Sequence, residues 1–212
     1  MVTLLQLLEH NFVLNIKSII MIKSIITICL ITLTSNSYSQ NKEPLTRKGY
    51  VIGTSLGVAH SIQSFPSKSQ NNTDFAFDLK LGYMIKPNIA LLLTSSVSGY
   101  DYSGIGRDRK RDFGVLAPTV QYWFHEKFWV LAGIGLGLDA PVFFDIEDPD
   151  NNKEEIEYHS GLGIVGAIGY EFYHGKKFAI DLKARMTYRN VNLTEGKTTG
   201  ISPSILIGVN FY

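Results

Sequence analysis

From residue 49 onward the chain alternates on two scales, in side-chain polarity within each segment and in the length of the links between segments. In Phe75-Ala76-Phe77-Asp78-Leu79-Lys80-Leu81-Gly82-Tyr83 the odd positions are large and apolar, and the even ones are small or charged. Successive side chains on a strand point to opposite faces, so period two reads as a strand, where a helix would repeat every 3.6 residues. The same pattern gives eight strands, near 49–60, 73–85, 89–100, 112–124, 128–139, 158–173, 178–189 and 200–212. Each is long enough to cross a bilayer when tilted.

The links carry the stronger constraint. Lys86-Pro87-Asn88, His125-Glu126-Lys127 and His174-Gly175-Lys176-Lys177 are tight and polar, whereas 61–72, 101–111, 140–157 and 190–199 are long and hydrophilic. Short and long take turns, so all the short turns fall at one end of an up-and-down antiparallel barrel and all the long loops at the other, as outer-membrane barrels require. A soluble sandwich has no reason to obey that parity. One parity collects Phe77, Leu79, Leu81, Leu91, Leu93, Ile134, Leu136, Ile164, Leu182, Ile205 and Ile207 as a lipid face, and Tyr83, Tyr122, Phe124, Phe128, Tyr170, Phe172, Phe178 and Phe211 gather at strand ends as an interfacial belt. Pro118 and Pro203 fall inside strands, where proline removes a ladder hydrogen bond, so bulges or irregular pairing are expected there.

Residues 21–39 read as a secretory signal peptide, with Lys23 ahead of the apolar run 25–33 and Ser37-Tyr38-Ser39 as the cleavage site. Residues 1–20 read as an upstream extension or a mis-assigned start, and 40–212 as the barrel domain. The single cysteine, Cys29, lies within the signal and leaves with it, which removes disulfides, thiolate metal sites and a cysteine nucleophile from the mature chain. A formal net charge of +1 gives no electrostatic support for a nucleic-acid partner.

The signal peptide, eight segments, loop parity and terminal Phe211-Tyr212 together resemble the small eight-stranded outer-membrane barrel superfamily of the OmpA-transmembrane-domain and OmpX type. The resemblance implies an all-β, eight-stranded antiparallel up-and-down transmembrane barrel, integral to the outer membrane of a Gram-negative bacterium. It implies contact with outer-membrane lipid and lipopolysaccharide, and delivery to the barrel-assembly machinery through the C-terminal strand. Both termini would then be periplasmic. It does not fix an activity, because one fold hosts many roles.

The inward parity places Asp78 and Lys80 on the second strand, Glu171 on the sixth, and Asp181, Lys183 and Arg185 on the seventh, three acids against three bases. Gly133, Gly135, Gly137, Gly161, Gly163 and Gly169 make the facing wall flat. Eight strands enclose only enough space for side chains, so these arms are expected to fill it, and confined charges must pair. A plug of compensating salt bridges is the simpler reading and a gated conduit the sharper one.

Other motifs weigh less. Gly161-Leu162-Gly163-Ile164-Val165-Gly166 matches a dinucleotide fingerprint, with Asp181 downstream, but no strand precedes it and no helix follows. The acidic third loop, Asp145 to Glu155, is rich in oxygen ligands without the spacing of a calcium loop. In the second loop Arg107, Arg109, Lys110 and Arg111 form a basic patch suited to lipopolysaccharide phosphates. His60-Ser61 and His159-Ser160 pair base with nucleophile in sequence, yet neighbours on a strand face opposite ways. The expectation is therefore a non-enzymatic outer-membrane barrel, without catalytic, metal or cofactor residues, that acts through its loops on an extracellular or envelope partner. A narrow porin-like channel for small solutes or ions is the first alternative, and a lipid-modifying enzyme at the rim the second.

Overall fold

A computed structural model of the chain describes residues 46–103, 108–141, 158–193 and 196–212; the readings made on residues 1–45, on Arg107 and on the acidic third loop lie outside the described residues. Eight strands follow in order: β1 (Gly49–Ser64), β2 (Ser69–Lys86), β3 (Ile89–Ser103), β4 (Asp108–Trp123), β5 (Phe128–Pro141), β6 (His159–His174), β7 (Phe178–Leu193) and β8 (Gly196–Phe211). Each pairs antiparallel with the next, and β8 returns to β1, so the sheet is a closed barrel without a free edge.

Alternation in the sequence becomes inside and outside. Along β8, Ser202, Ser204, Leu206 and Asn210 are buried while Ile201, Ile205, Ile207 and Phe211 are exposed, Ile205 to 65%. The exterior of the other strands is equally apolar, with Ile134 exposed to 63% and Leu56 to 53%. A water-soluble protein would not leave so continuous an apolar band uncovered, and the band is the surface a bilayer needs. At the end that holds Gly49, Phe211 and the three tight turns, here the terminal end, rings touch around the barrel: Phe128 and Tyr170 at 4.7 Å, Tyr50 and Tyr83 at 5.5 Å, Phe178 and Phe211 at 6.0 Å.

At the opposite end, the loop end, the strands run further than expected. The polar stretches taken as long loops around residues 61–72 and 190–199 continue as ladder, pairing Ser61 with Asn72, Gln63 with Gln70 and Asn192 with Lys197. The first connection shrinks to residues 65–68, closed by a bond from the Phe65 N–H to the Lys68 carbonyl at 2.8 Å. Polar composition does not stop a ladder whose backbone groups have partners, and Phe65, Tyr100, Phe113, Val191 and Leu193 give these extensions an apolar core.

The prolines give the irregular pairing expected of them, without bulges. Pro118 keeps register with Leu93 and Pro203 with Met186, and neither causes a shift. Each leaves a lapse on one side only, between the pairs Leu116–Leu136 and Thr119–Gly133 for Pro118, and between Ala59–Ser204 and Ile62–Ile201 for Pro203. The register shifts lie instead at Met84/Lys86 and Glu171/Tyr173, next to tight turns.

An arginine placed on the lipid face must be dragged into hydrocarbon. Leu81→Arg and Ile207→Arg are each expected to lower unfolding free energy in lipid vesicles by about 2–4 kcal/mol, whereas Ser96→Ala, on the inner face, should cost far less. Urea titrations showing equal losses at both kinds of site would reverse the assignment of faces.

Candidate functional site

The candidate site is the barrel interior, and its charges stack in levels. Near the middle, the Asp78 carboxylate on β2 takes ion pairs from Lys183 and Arg185 on β7, reaching across the lumen. Arg185 also donates to Ser98 Oγ at 3.0 Å and to the Phe77 carbonyl at 3.2 Å, and Ser98, Ser202 and Ser61 continue as a hydroxyl chain at 3.1 and 2.9 Å. Asp78, Lys183 and Arg185 are all less than 5% exposed. A buried carboxylate facing two cations is compensated for its lost hydration.

Toward the loop end lies a level that the sequence reading did not single out. Asp139 on β5 accepts from Arg111 Nε and, at 2.7 Å, from Arg189 Nη2, while the Tyr100 hydroxyl donates to it at 2.6 Å. Arg189 also donates to Gln63 Oε1 at 2.7 Å and to the Leu138 carbonyl at 2.8 Å, and its guanidinium sits 4.3 Å from the Phe113 ring centre. Arg189 was legible in principle, since it continues the inward parity of Asp181, Lys183 and Arg185. Asp139 and Arg111 were hidden because they were assigned to strand ends and loops.

At the terminal end, Glu171 is the hub. It accepts from Arg47 Nη2 at 2.5 Å, Tyr212 Oη at 2.8 Å, Trp123 Nε1 at 2.9 Å and the His174 ring at 2.9 Å. Burial, followed by the charge and hydrogen bond of Glu171, raises the Tyr212 hydroxyl well above its ordinary value, so it remains a neutral donor. Arg47 also donates to the Glu126 carbonyl and lies 4.9 Å from the Trp123 ring centre, which closes this mouth with a residue preceding β1. Nothing in the periodicity announces Arg47, because it stands outside every strand.

The six expected lumen residues thus point inward but do not form one neutral network. Asp78, Lys183 and Arg185 are one unit, and Glu171 belongs to another. Lys80 meets no carboxylate within ion-pair distance among the described residues: it donates to Gln121 Oε1 at 3.0 Å and sits 4.7 Å from the Trp129 ring centre. Its stem fits because Gly53 opposite has no side chain; a Cβ there would lie 2.6 Å from Lys80 Cε. Asp181 takes Asn210 Nδ2 at 2.8 Å on one oxygen, while its Oδ1, Asn210 Oδ1, Gln121 Nε2 and Trp129 Nε1 are buried without a protein partner. Beside these groups, Val51, Met84, Leu92, Val115, Trp123, Trp129, Leu131 and Val165 fill the rest of the terminal half with apolar side chains.

The basic patch also changes. Arg111 is 7% exposed and turned inward to Asp139, because it shares the parity of Phe113 and Val115. Lys110 is exposed and bridged to Asp74 at 2.7 Å, and Arg109 belongs to β4, so the loop does not present the four as one free cluster. His60 and Ser61 diverge as strand neighbours must: His60 bonds Thr73 Oγ1 at 2.8 Å on the outside, and Ser61 bonds Ser202 within.

No protein-family model matches the chain, and no curated protein matches it by sequence. By structure it is similar to Ail, the attachment invasion locus protein of Yersinia pestis, at 15% identity and a TM-score of 0.53 over 77% of this chain and 99% of that one. A second structure of Ail, in complex with the heparin analogue sucrose octasulfate, gives a TM-score of 0.50 at the same identity and coverage. Neisserial surface protein A matches with 15% identity and a TM-score of 0.51 over 77% and 96%. The fold is that of the small eight-stranded outer-membrane β-barrels.

Removing Asp78 would strand two cations in the lumen. Asp78→Ala is expected to destabilise the barrel by about 3–5 kcal/mol, and Lys176→Ala, in an exposed turn, by no more than about 0.5 kcal/mol. Equal midpoints for the two variants in denaturant titrations would mean that the interior pairing contributes nothing to stability.

Proposed function

We propose that this protein is an outer-membrane barrel of a Gram-negative cell whose lumen is sealed and whose work is done by its loop end, in a structural or interaction role. The observation that carries this reading is the stack of filled levels. Glu171 with Arg47, then Asp78 with Lys183 and Arg185, then Asp139 with Arg111 and Arg189 put paired side chains across the interior at three levels. A sealed lumen hands function to the parts that leave the membrane. The tight turns and both termini are then periplasmic and the loops extracellular, consistent with the positional logic of such barrels. Attachment, the role named for the Yersinia protein of similar fold, is the kind of task a sealed barrel leaves to its loops. Delivery to the membrane through β8 by the assembly machinery, and lipopolysaccharide around the loop end, belong to the same proposal. No catalytic step is included, since His60 and Ser61 work on opposite faces of one strand.

A second reading, a narrow conduit, is favoured by one specific feature. Among the described residues the buried charges are four acids, Asp78, Asp139, Glu171 and Asp181, against five bases, Lys80, Arg111, Lys183, Arg185 and Arg189. Were the stack to open, that excess would favour anions.

Planar bilayers decide between the two. The purified protein is expected to give no stepwise current in potassium chloride at moderate voltage. Discrete openings of reproducible size would replace the sealed-barrel reading with the conduit, and reversal potentials in a salt gradient would then reveal its sign.

A further inference from the structure

On the outside of the barrel, across β6, β7, β8, β1 and β2, lies a groove of about 630 Å³, within the range of small-ligand sites. Its floor is made of small residues on the lipid-facing parity, Gly166, Ala184 and Pro203, and its walls of Ile168, Met186, Ile205 and Val58. Register makes these neighbours: Gly166 pairs with Met186 and Met186 with Pro203, while Ile168 pairs with Ala184, Ala184 with Ile205, and Ile205 with Val58.

Three observations indicate an occupant. The first is that Gly166 is not required by packing. A Cβ at Gly57 or Gly82 would lie 2.0 Å from a neighbouring carbonyl oxygen, whereas at Gly166 it would meet only the Leu131 carbonyl oxygen, at 3.9 Å. The missing side chain keeps the groove open instead of relieving a clash. The second is that the groove is continuous with the apolar exterior band, so hydrocarbon is what surrounds it. The third is that the outward polar side chains of its lining stand at one end, His60 and Thr73, since Arg185 and Ser204 are buried on the inward parity. His60 Nδ1 lies 2.8 Å from the Thr73 hydroxyl, and Nε2 has no partner among the described residues; in the tautomer that accepts from Thr73 at Nδ1, Nε2 carries the ring hydrogen.

An apolar trough with one hydrogen-bond donor at its end is the complement of an amphiphile. We propose that it holds one acyl chain of a lipid in the leaflet at the loop end, whose phosphate or ester oxygen accepts from His60 Nε2. The Pro203 lapse in the β8–β1 ladder lies beneath the polar end, so this stretch of the wall lacks the ladder bonds present elsewhere. The proposal needs only the membrane placement of the barrel and is independent of whether the lumen conducts.

The test uses the full chain refolded into vesicles of phosphatidylethanolamine and phosphatidylglycerol doped with a phosphatidylethanolamine that carries a diazirine on one acyl chain. After irradiation and peptide mass spectrometry, adducts at Val58, Ile168, Met186 and Ile205 are expected at several times the level at Leu91 and Leu93 on β3, which are equally exposed. In a Gly166→Leu, Ala184→Leu variant that still shifts mobility on heating, labelling should fall to the β3 level, and His60→Ala should lower it part-way. Uniform labelling around the wild-type barrel overturns the proposal, and so does undiminished labelling in the filled variant. A photo-crosslinked or sedimenting dimer joined through this face would also overturn it by assigning the groove to a second copy. Should the filled variant not fold, the wild-type ratio alone decides.

Discussion

Ions cannot be left bare inside a barrel of eight strands, where the lumen is only as wide as the side chains that fill it. Taking a carboxylate or an ammonium out of water costs several kcal/mol even after relaxation, and only close pairing with further hydrogen bonds offsets it. Four acids and five bases are buried among the described residues. The arrangement of the interior follows from that requirement: Asp78 gathers Lys183 and Arg185, Asp139 gathers Arg111 and Arg189, and Glu171 gathers Arg47, His174, Trp123 and Tyr212. Asp78 and Asp139 sit on different strands from the lysine and arginines that pair with them. Pairing therefore ties together strands that the hydrogen-bond ladder does not join, notably β2 with β7.

Space is the second half of the same constraint. Long arms need flat walls, and Gly53 lets the Lys80 stem pass where a methyl group would collide. Bulky apolar residues then occupy what the charges leave: Trp123, Trp129 and Leu131 below, Phe65, Tyr100 and Phe113 above. A lumen filled in this way is what the sealed-barrel proposal rests on. That shifts attention to the rim and to the exterior, where Gly166 and Ala184 leave a trough that no packing requirement explains.

Much of this was legible in the sequence, because a strand has only two faces. Period two sorted Asp78, Lys183 and Arg185 inward and Leu81, Ile134 and Ile205 outward without any knowledge of distance. Exact contacts were not legible: which side chains touch depends on the stagger between strands, and nothing in the periodicity sets Lys80 on Gln121 and Trp129. Strand ends were misjudged for a different reason. Ser61, Asn72, Asn190 and Thr199 look like loop by composition, yet a closed barrel pairs their backbones anyway, and β4 likewise continues to Asp108, which brings Arg111 into the interior beside Asp139. Arg47 and the groove at Gly166 left no periodic signal; one lies outside the strands, and the other is formed by side chains that are missing.

The central claim is that charge pairing across the lumen holds strands together that are not ladder neighbours. A double-mutant cycle on Asp78 and Arg185, using Asp78→Asn, Arg185→Met and the double variant unfolded by urea in lipid vesicles, measures that coupling directly. The account predicts a favourable interaction energy of about 1–3 kcal/mol between the two sites. Additive losses, with an interaction energy indistinguishable from zero, would contradict it.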